Sequence, residues 1–251
     1  MPTDSGFYQV DTWGPFVGEG VSGAKYCTLS GVAKVCDTPG DYVVANEFIC
    51  ARVGLALGLP VPPGVIAQTT DGKAAYVSLR FGKLTERPPH VMPADLVADH
   101  PRVAAGIVLF DSLILNTDRH AGNLAYSRAG NLPVNIFDHS HALLGPAKGD
   151  GPERVQLMQD QPGFATCLTK HVVERSHFEG WLVRIEGLAD ELCHDIVDQA
   201  HAGGALPLAD DIQAAKALLI NRKKKLRALL DGAIAGGTFQ GIKPAAPKGT
   251  P

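Results

Sequence analysis

No stretch of the 251 residues is apolar for long enough to cross a bilayer, because the longest apolar runs end at charges well short of a span. The opening residues up to Phe16 include Asp4, Gly6, Asp11 and Pro15 and hold no apolar core segment, so a secretory signal is not expected. Cysteine is sparse and unpatterned: Cys27, Cys36, Cys50, Cys167 and Cys193 make an odd set of five, without a Cys-x-x-Cys spacing. They are expected as reduced, mostly buried thiols of a cytoplasmic protein, not as a disulfide framework. Charge of one sign is also lacking. A formal net charge of -3 and a pI near 6.3 give no pull toward nucleic acid or an anionic membrane, and neither is expected as a partner. There is no long internal repeat. No Gly-x-Ser-x-Gly elbow supports a triad drawn from Ser140, His141 and Asp118. What remains is ordinary globular composition, 45% hydrophobic and 20% charged, enough for a sizeable core in one large domain or two small lobes.

Against that plain background one stretch stands out. Residues 116–123 read Asn-Thr-Asp-Arg-His-Ala-Gly-Asn and follow an apolar, helix-like run over 103–115. A strand-like Leu124-Ala125-Tyr126, a turn over 127–131 and a second strand over 134–137 then lead to Asp138-His139-Ser140-His141. A hairpin of this kind folds Asp138 back beside Asp118 and Asn123, so three hard oxygen side chains converge. Singly, each reads as a turn cap. Together they suit a magnesium nucleotide, since Mg²⁺ takes one or two carboxylates plus substrate phosphates. Phosphoryl transfer needs one Asp to orient or deprotonate the acceptor, and an Asn and a further Asp to hold metal.

These two motifs, Asn116-x-Asp118-Arg119-His120-x-x-Asn123 and Ile136-Phe137-Asp138-His139, resemble the active site of HipA-like kinases. The phosphoinositide 3/4-kinases carry a similar pair. The resemblance implies an α/β (α+β) bilobal, protein-kinase-like fold and an ATP-dependent kinase using ATP and Mg²⁺. It makes Asp118 the catalytic Asp, and Asn123 and Asp138 the metal residues. His120 joins Asp118 in the catalytic set, supporting the loop or touching phosphate. The implied acceptor is a Ser/Thr hydroxyl of a protein. In that family an aminoacyl-tRNA synthetase is a familiar target and a DNA-binding antitoxin a familiar partner. A phosphoinositide or small-molecule kinase, or a nucleotide-binding module without catalysis, are the alternatives.

The N-terminal half is expected to supply the nucleotide's other contacts. Gly14, Gly18, Gly20 and Gly23 crowd a loop with Ser22, and glycines let backbone N–H groups approach phosphate. Strands over 25–29 and 32–36 are expected to form a hairpin around Ser30-Gly31 behind this loop. Ser22-Gly23-Ala24-Lys25 faintly resembles the HipA-like phosphate loop, without its Gln-containing pattern. Gly20, Ser22 and Gly23 are therefore placed at ATP. Lys34, with apolar neighbours along its strand, is the expected phosphate lysine and Lys25 the reserve. A helix is expected over 42–57, capped by Asp41 and stopped by Gly58 and Pro60. Glu47 on that helix reads either as a surface acid or as the partner of Lys34. Strands over 65–69 and 74–79 flank the turn signal Asp71-Gly72. Backbone near Leu79 and Phe81 is expected to meet adenine.

These readings divide the chain into an N-lobe over 1–82, a C-lobe over 83–235 and a disordered tail over 236–251. Residues 80–93 read as hinge and linker. Helices are expected over 103–115, 164–173, 177–185, 189–201 and 210–233. Residues 145–163 fall where a kinase carries its activation segment. The basic run Arg222-Lys223-Lys224-Lys225 reads as a solvated helix face. A two-metal hydrolase built on His120, His139 and His141 is disfavoured, because no further ligand spacing recurs.

Overall fold

The computed structural model describes residues 8, 10–18, 23–36, 41–82, 91–128, 132–145 and 151–242. Strands β1 (Thr12–Phe16) and β2 (Lys25–Thr28) form an antiparallel hairpin. Strands β3 (Gly31–Val35), β4 (Gly64–Gln68) and β5 (Ala74–Leu79) form a second antiparallel sheet in the order β3-β5-β4. The hairpin expected around Ser30-Gly31 is not there: β2 pairs with β1, and β3 pairs with β5. The reason is tertiary. Gly31 lies so close to Val77 that a Cβ would come within 2.7 Å of its side chain, and Ser30 accepts a backbone bond from Arg80. The turn signal therefore marks a crossing between sheets, and beside the β1–β2 pairing Val17 N–H donates to the Ala24 carbonyl at 2.9 Å.

Helix α1 (Val43–Ala56) packs against this sheet. Val44, Ala45, Ile49, Cys50 and Val53 are all buried, as is Phe48. The burial runs nearly all round because the sheet covers one side and helix α6 (Asp190–Ala202) the other. Its N-cap is Tyr42 without a side-chain cap, so Asp41 does not play the capping role expected of it. Its end follows the expectation: Gly58 adopts φ +78°, and Leu59 and Gly58 N–H groups return to the Gly54 and Leu55 carbonyls in a Schellman closure.

The C-terminal lobe is mainly helical. Helix α2 (Pro93–Asp99), inside and beyond the expected linker, opens on a proline and precedes α3 (Pro101–Leu113). The latter is the lobe's axis, with Ala104, Ile107, Val108, Phe110 and Leu113 fully buried. A two-strand hairpin, β6 (Leu124–Ser127) and β7 (Leu132–Ile136), follows. Helix α4 (Gly151–Met158) occupies part of the expected activation segment. Helices α5 (Ser176–Glu186), α6 and α7 (Ala209–Ala235) complete the lobe. The helix expected over 164–173 is reduced to a single 3-10 turn at Thr169–His171. There the Thr166 and Thr169 hydroxyls take up backbone groups of Phe164, Thr166 and Leu168 that a helix ladder would have used.

The expectation of disorder from 236 onward also needs correction for its first residues. Gly237 turns the chain at φ +80°, and Phe239 packs on Phe164 and Phe178 with ring centroids 5.6 and 5.5 Å away. Phe239 and Ile242 are buried, the former against two other buried aromatic rings. The arrangement is bilobal: a small sheet-plus-helix lobe on a mainly helical one.

Candidate active site

The site is assembled by side chains that reach it from separate elements. In the β3–β5 register Lys34 stands opposite Tyr76 and Val32 opposite Ser78. Lys34 faces a cavity of about 280 Å³ between the lobes, lined also by Glu47, Val61, Leu79, Phe81 and Asp138. Its ammonium meets Glu47 Oε1 at 2.5 Å and Asp138 Oδ1 at 2.8 Å. Burial works to lower its pKa, but the two carboxylates outweigh it and hold the ammonium above its ordinary value. Lys25 lies elsewhere, with its ammonium over the Phe16 ring at 4.7 Å.

Glu47 is buried in the second turn of α1, and its two oxygens do different things. Oε1 takes Lys34 and the His139 backbone N–H, at 3.0 Å, while Oε2 lies 3.5 Å from His139 Nδ1. Burial would raise this carboxyl, but His139 and Lys34 hold it below its ordinary value. Beside it Asn46, fully buried, donates to the Ser140 and Gly145 carbonyls at 2.9 Å each and accepts from Leu144 N–H. Helix α1 is thus bonded directly to the loop that carries Asp138.

Asp138 sits just past β7 at φ +59°, a left-handed conformation uncommon outside glycine and tolerated best by Asn and Asp. Burial raises its pKa, yet Lys34 and Ser140 donate to it and bring it to about 2. Its Oδ1 takes both donors, leaving Oδ2 without a bond among the described residues. The β6–β7 register sets Leu124 opposite Ile136, so Asn123 and Phe137 meet at the open end, where Phe137 N–H donates to the Asn123 carbonyl. Asn123 is buried; its amide nitrogen donates to the Asp118 carbonyl at 2.9 Å, and Oδ1 has no partner among the described residues. Two unengaged oxygen acceptors, on Asn123 and Asp138, fit a hard divalent cation such as Mg²⁺. Among the described residues no cluster of three His, Cys, Asp or Glu side chains could hold a metal.

Asp118 is open to solvent, its backbone N–H held by Asn116 Oδ1 at 3.1 Å. His120 Nδ1 accepts from Gly122 N–H at 3.0 Å, which caps a short 3-10 turn at Ala121–Asn123. That bond puts the imidazole proton on Nε2, 3.9 Å from Asp118 Oδ2 and beyond hydrogen-bonding range. His120 therefore shapes the loop around Asp118.

Leu79 and Phe81 line the cavity, and Phe81 packs on Phe137 with centroids 5.5 Å apart. Gly23 closes the β1–β2 loop at φ +63°. Gly20 and Ser22 lie outside the described residues. Sequence reasoning passes over Asp111, Asn46 and Arg154, which hold the site's loops. Of the three only Asp111 carries a local signal, a carboxylate after the apolar run that ends in Phe110.

No protein-family model matches this chain, and no curated protein does. Among solved structures it resembles the crystal structure of the proinflammatory kinase CtkA of Helicobacter pylori, at a TM-score of 0.57 and 16% sequence identity. The likeness covers 86% of this chain and 93% of that one. At this identity it shows a shared fold, the kinase-like one, and does not single out the HipA-like kinases.

Proposed function

We propose that the protein is an Mg-ATP-dependent phosphotransferase acting on protein Ser or Thr hydroxyls. The observation that carries the reading is Lys34, bonded at once to Glu47 and Asp138 on the wall of an interlobe cavity. A lysine held by a helix carboxylate and facing a second carboxylate suits phosphate oxygens bridged to a metal. CtkA, which shares the fold, is a kinase, and this agrees with the reading.

In this reading the base would lie in the part of the cavity lined by Val32, Leu79, Phe81 and Phe137. Asn123 and Asp138 would hold Mg²⁺, which supplies charge neutralisation across the phosphates. Lys34 donates to those phosphates. Asp118 takes the proton of the acceptor hydroxyl as its oxygen bonds to the γ-phosphorus and the bond to the ADP oxygen breaks. Protein is favoured over an inositol lipid because the dense basic run 222–225 is far in sequence from Asp118 and partly buried. An aminoacyl-tRNA synthetase as acceptor and an antitoxin as partner rest on the sequence resemblance alone.

The test is radiolabelled ATP offered to a cell lysate and, separately, to phosphoinositide vesicles, with Asp118→Ala as control. Label on protein Ser or Thr, absent with Asp118→Ala, is expected. Label in the lipid fraction alone would reverse the choice of acceptor. Asp138→Ala should lose metal-dependent ATP affinity, whereas Asp118→Asn should keep it and lose turnover. A folded protein whose melting temperature ignores millimolar Mg-ATP would defeat the phosphotransferase reading itself.

A further inference from the structure

Arg154 on α4 is a half-buried cation that bonds to no carboxylate among the described residues. Among the described residues its guanidinium bonds only to backbone. Nε donates to the Leu143 carbonyl at 3.1 Å, and one amino group donates to the Leu115 carbonyl at 3.1 Å and the His141 carbonyl at 3.3 Å. Those carbonyls belong to two loops. Leu115 stands just ahead of Asn116-Thr117-Asp118, while His141 and Leu143 follow Asp138. Leu115 and Leu143 also adopt φ of 52° and 41°, conformations that side-chain-bearing residues avoid unless their surroundings impose them. Gly145 passes so close that a Cβ there would lie 2.9 Å from Arg154 Cδ.

We propose that Arg154 is a positioning residue that sets the Asp118 loop and the Asp138 loop at a fixed separation. The inference takes its functional meaning from the phosphotransferase reading, in which one loop serves the acceptor and the other the metal. Both must be in place at the same moment, and a misplacement of about 1 Å costs roughly a hundredfold in rate. The planar fork spreads its donors, so Nε serves Leu143 while a separate nitrogen serves Leu115 and His141; a lysine ammonium keeps the charge but holds its three donors on a single atom. Among the described residues Arg154 bonds to none of Lys34, Asn123 and Asp138, so nucleotide affinity does not depend on it directly.

The experiment compares Arg154→Gln with the unaltered protein in Mg-ATP titration, steady-state kinetics and amide hydrogen exchange. ATP affinity is expected to stay within about threefold, while kcat falls roughly thirtyfold or more with KM nearly unchanged. Exchange is expected to quicken in 114–118 and 139–145 together, with α3, α5 and α7 as protected as before. Unchanged kcat per folded molecule, or loosening of one loop alone, overturns the proposal. Should Arg154→Gln not fold, Arg154→Lys carries the same readouts. If the unaltered protein neither binds nor turns over Mg-ATP, the phosphotransferase reading fails by itself. The exchange result then decides the inference: joint loosening sustains the coupling, and separate or absent loosening overturns it.

Discussion

The Arg119 guanidinium lies 3.1 Å from the Asp111 carboxylate, and both side chains are completely withdrawn from water. Asn116 donates to the same carboxylate at 3.0 Å. The remaining guanidinium donors reach the Asn123 carbonyl at 2.8 Å and the Phe137 carbonyl at 2.6 Å. One buried pair thus joins the end of α3, the turn carrying Asn123 and the residue before Asp138.

Breaking a buried pair leaves an uncompensated charge, at a cost of about 3–5 kcal/mol. Asp111→Asn and Arg119→Met are each expected to lower the melting temperature by roughly 10 °C. The double variant Asp111→Leu with Arg119→Met should recover part of that loss, since neither charge is then stranded. Thermal melts of the three variants check this. Additive losses in the double variant would show that the two residues act independently.

The Lys34 contacts make stability depend on pH in a definite direction. Asp138 is held at about 2, below its ordinary 3.8, so its contribution is present above about pH 4 and lost as pH falls toward 2. Lys34 is held above its ordinary 10.5, so its contribution is present below that pH and lost as pH rises through the raised value. Asp138 is about one-third exposed, and solvent screening reduces its contribution to about 1 kcal/mol. Lys34→Met is expected to flatten the fall in melting temperature between about pH 4 and pH 2. Identical acid limbs in the variant and the unaltered protein would count against the ion pair as a source of stability.

How much of this is legible from sequence depends on the range of the interaction. Asp118, Asn123 and Asp138 can be read because a short hairpin links them and register alone brings Asn123 to Phe137. Lys34 can be read because a lysine amid apolar strand neighbours must lead its ammonium to a partner. The Ser30-Gly31 turn misleads, since pairing there is decided by Val77 and Arg80, more than 40 residues downstream. Asn46 and Arg154 stay hidden because their partners are backbone carbonyls brought in by the fold, which carry no residue type. Asp111 differs, since its partners Asn116 and Arg119 lie close by in sequence, and its polarity inside an apolar helix is the local signal. The failed helix over 164–173 is subtler: its threonines compete locally for the backbone, a preference that apolar spacing does not display.

Phe239 tests the corrected view of the C-terminal residues. Its ring is buried between Phe164 and Phe178, and Thr238 N–H returns to the Ala233 carbonyl at 2.9 Å. Truncating such a ring to alanine costs about 3–5 kcal/mol, as the removed contacts leave a cavity. Phe239→Ala is therefore expected to melt roughly 10 °C lower. A free tail would give a variant that melts with the unaltered protein.

The basic run 222–225 gives a final prediction, because the fold uses those charges internally. Arg222 is fully buried, donating to carbonyls of Ser112, Gln159, Gln161 and Pro162 and to the Ser112 hydroxyl. Burial lowers its pKa to about 10, still leaving it charged at neutral pH. Lys223 is also buried and bonds to Asp190, which Lys224 approaches at 3.7 Å, and Lys225 meets Asp160 at 2.5 Å. Attraction to an anionic bilayer is worth about 1 kcal/mol for each basic residue near the surface, so several must be free to matter. Here two are buried and the others face carboxylates. The protein is expected not to co-sediment with phosphatidylserine or phosphoinositide vesicles, even at low salt, and Lys224→Ala with Lys225→Ala should change nothing. Arg222→Ala, in contrast, should lower the melting temperature sharply, because four backbone carbonyls and a hydroxyl lose their shared donor. Salt-sensitive vesicle binding that the two lysine substitutions abolish would show that the run is a surface patch after all, and would reopen the case for a lipid acceptor.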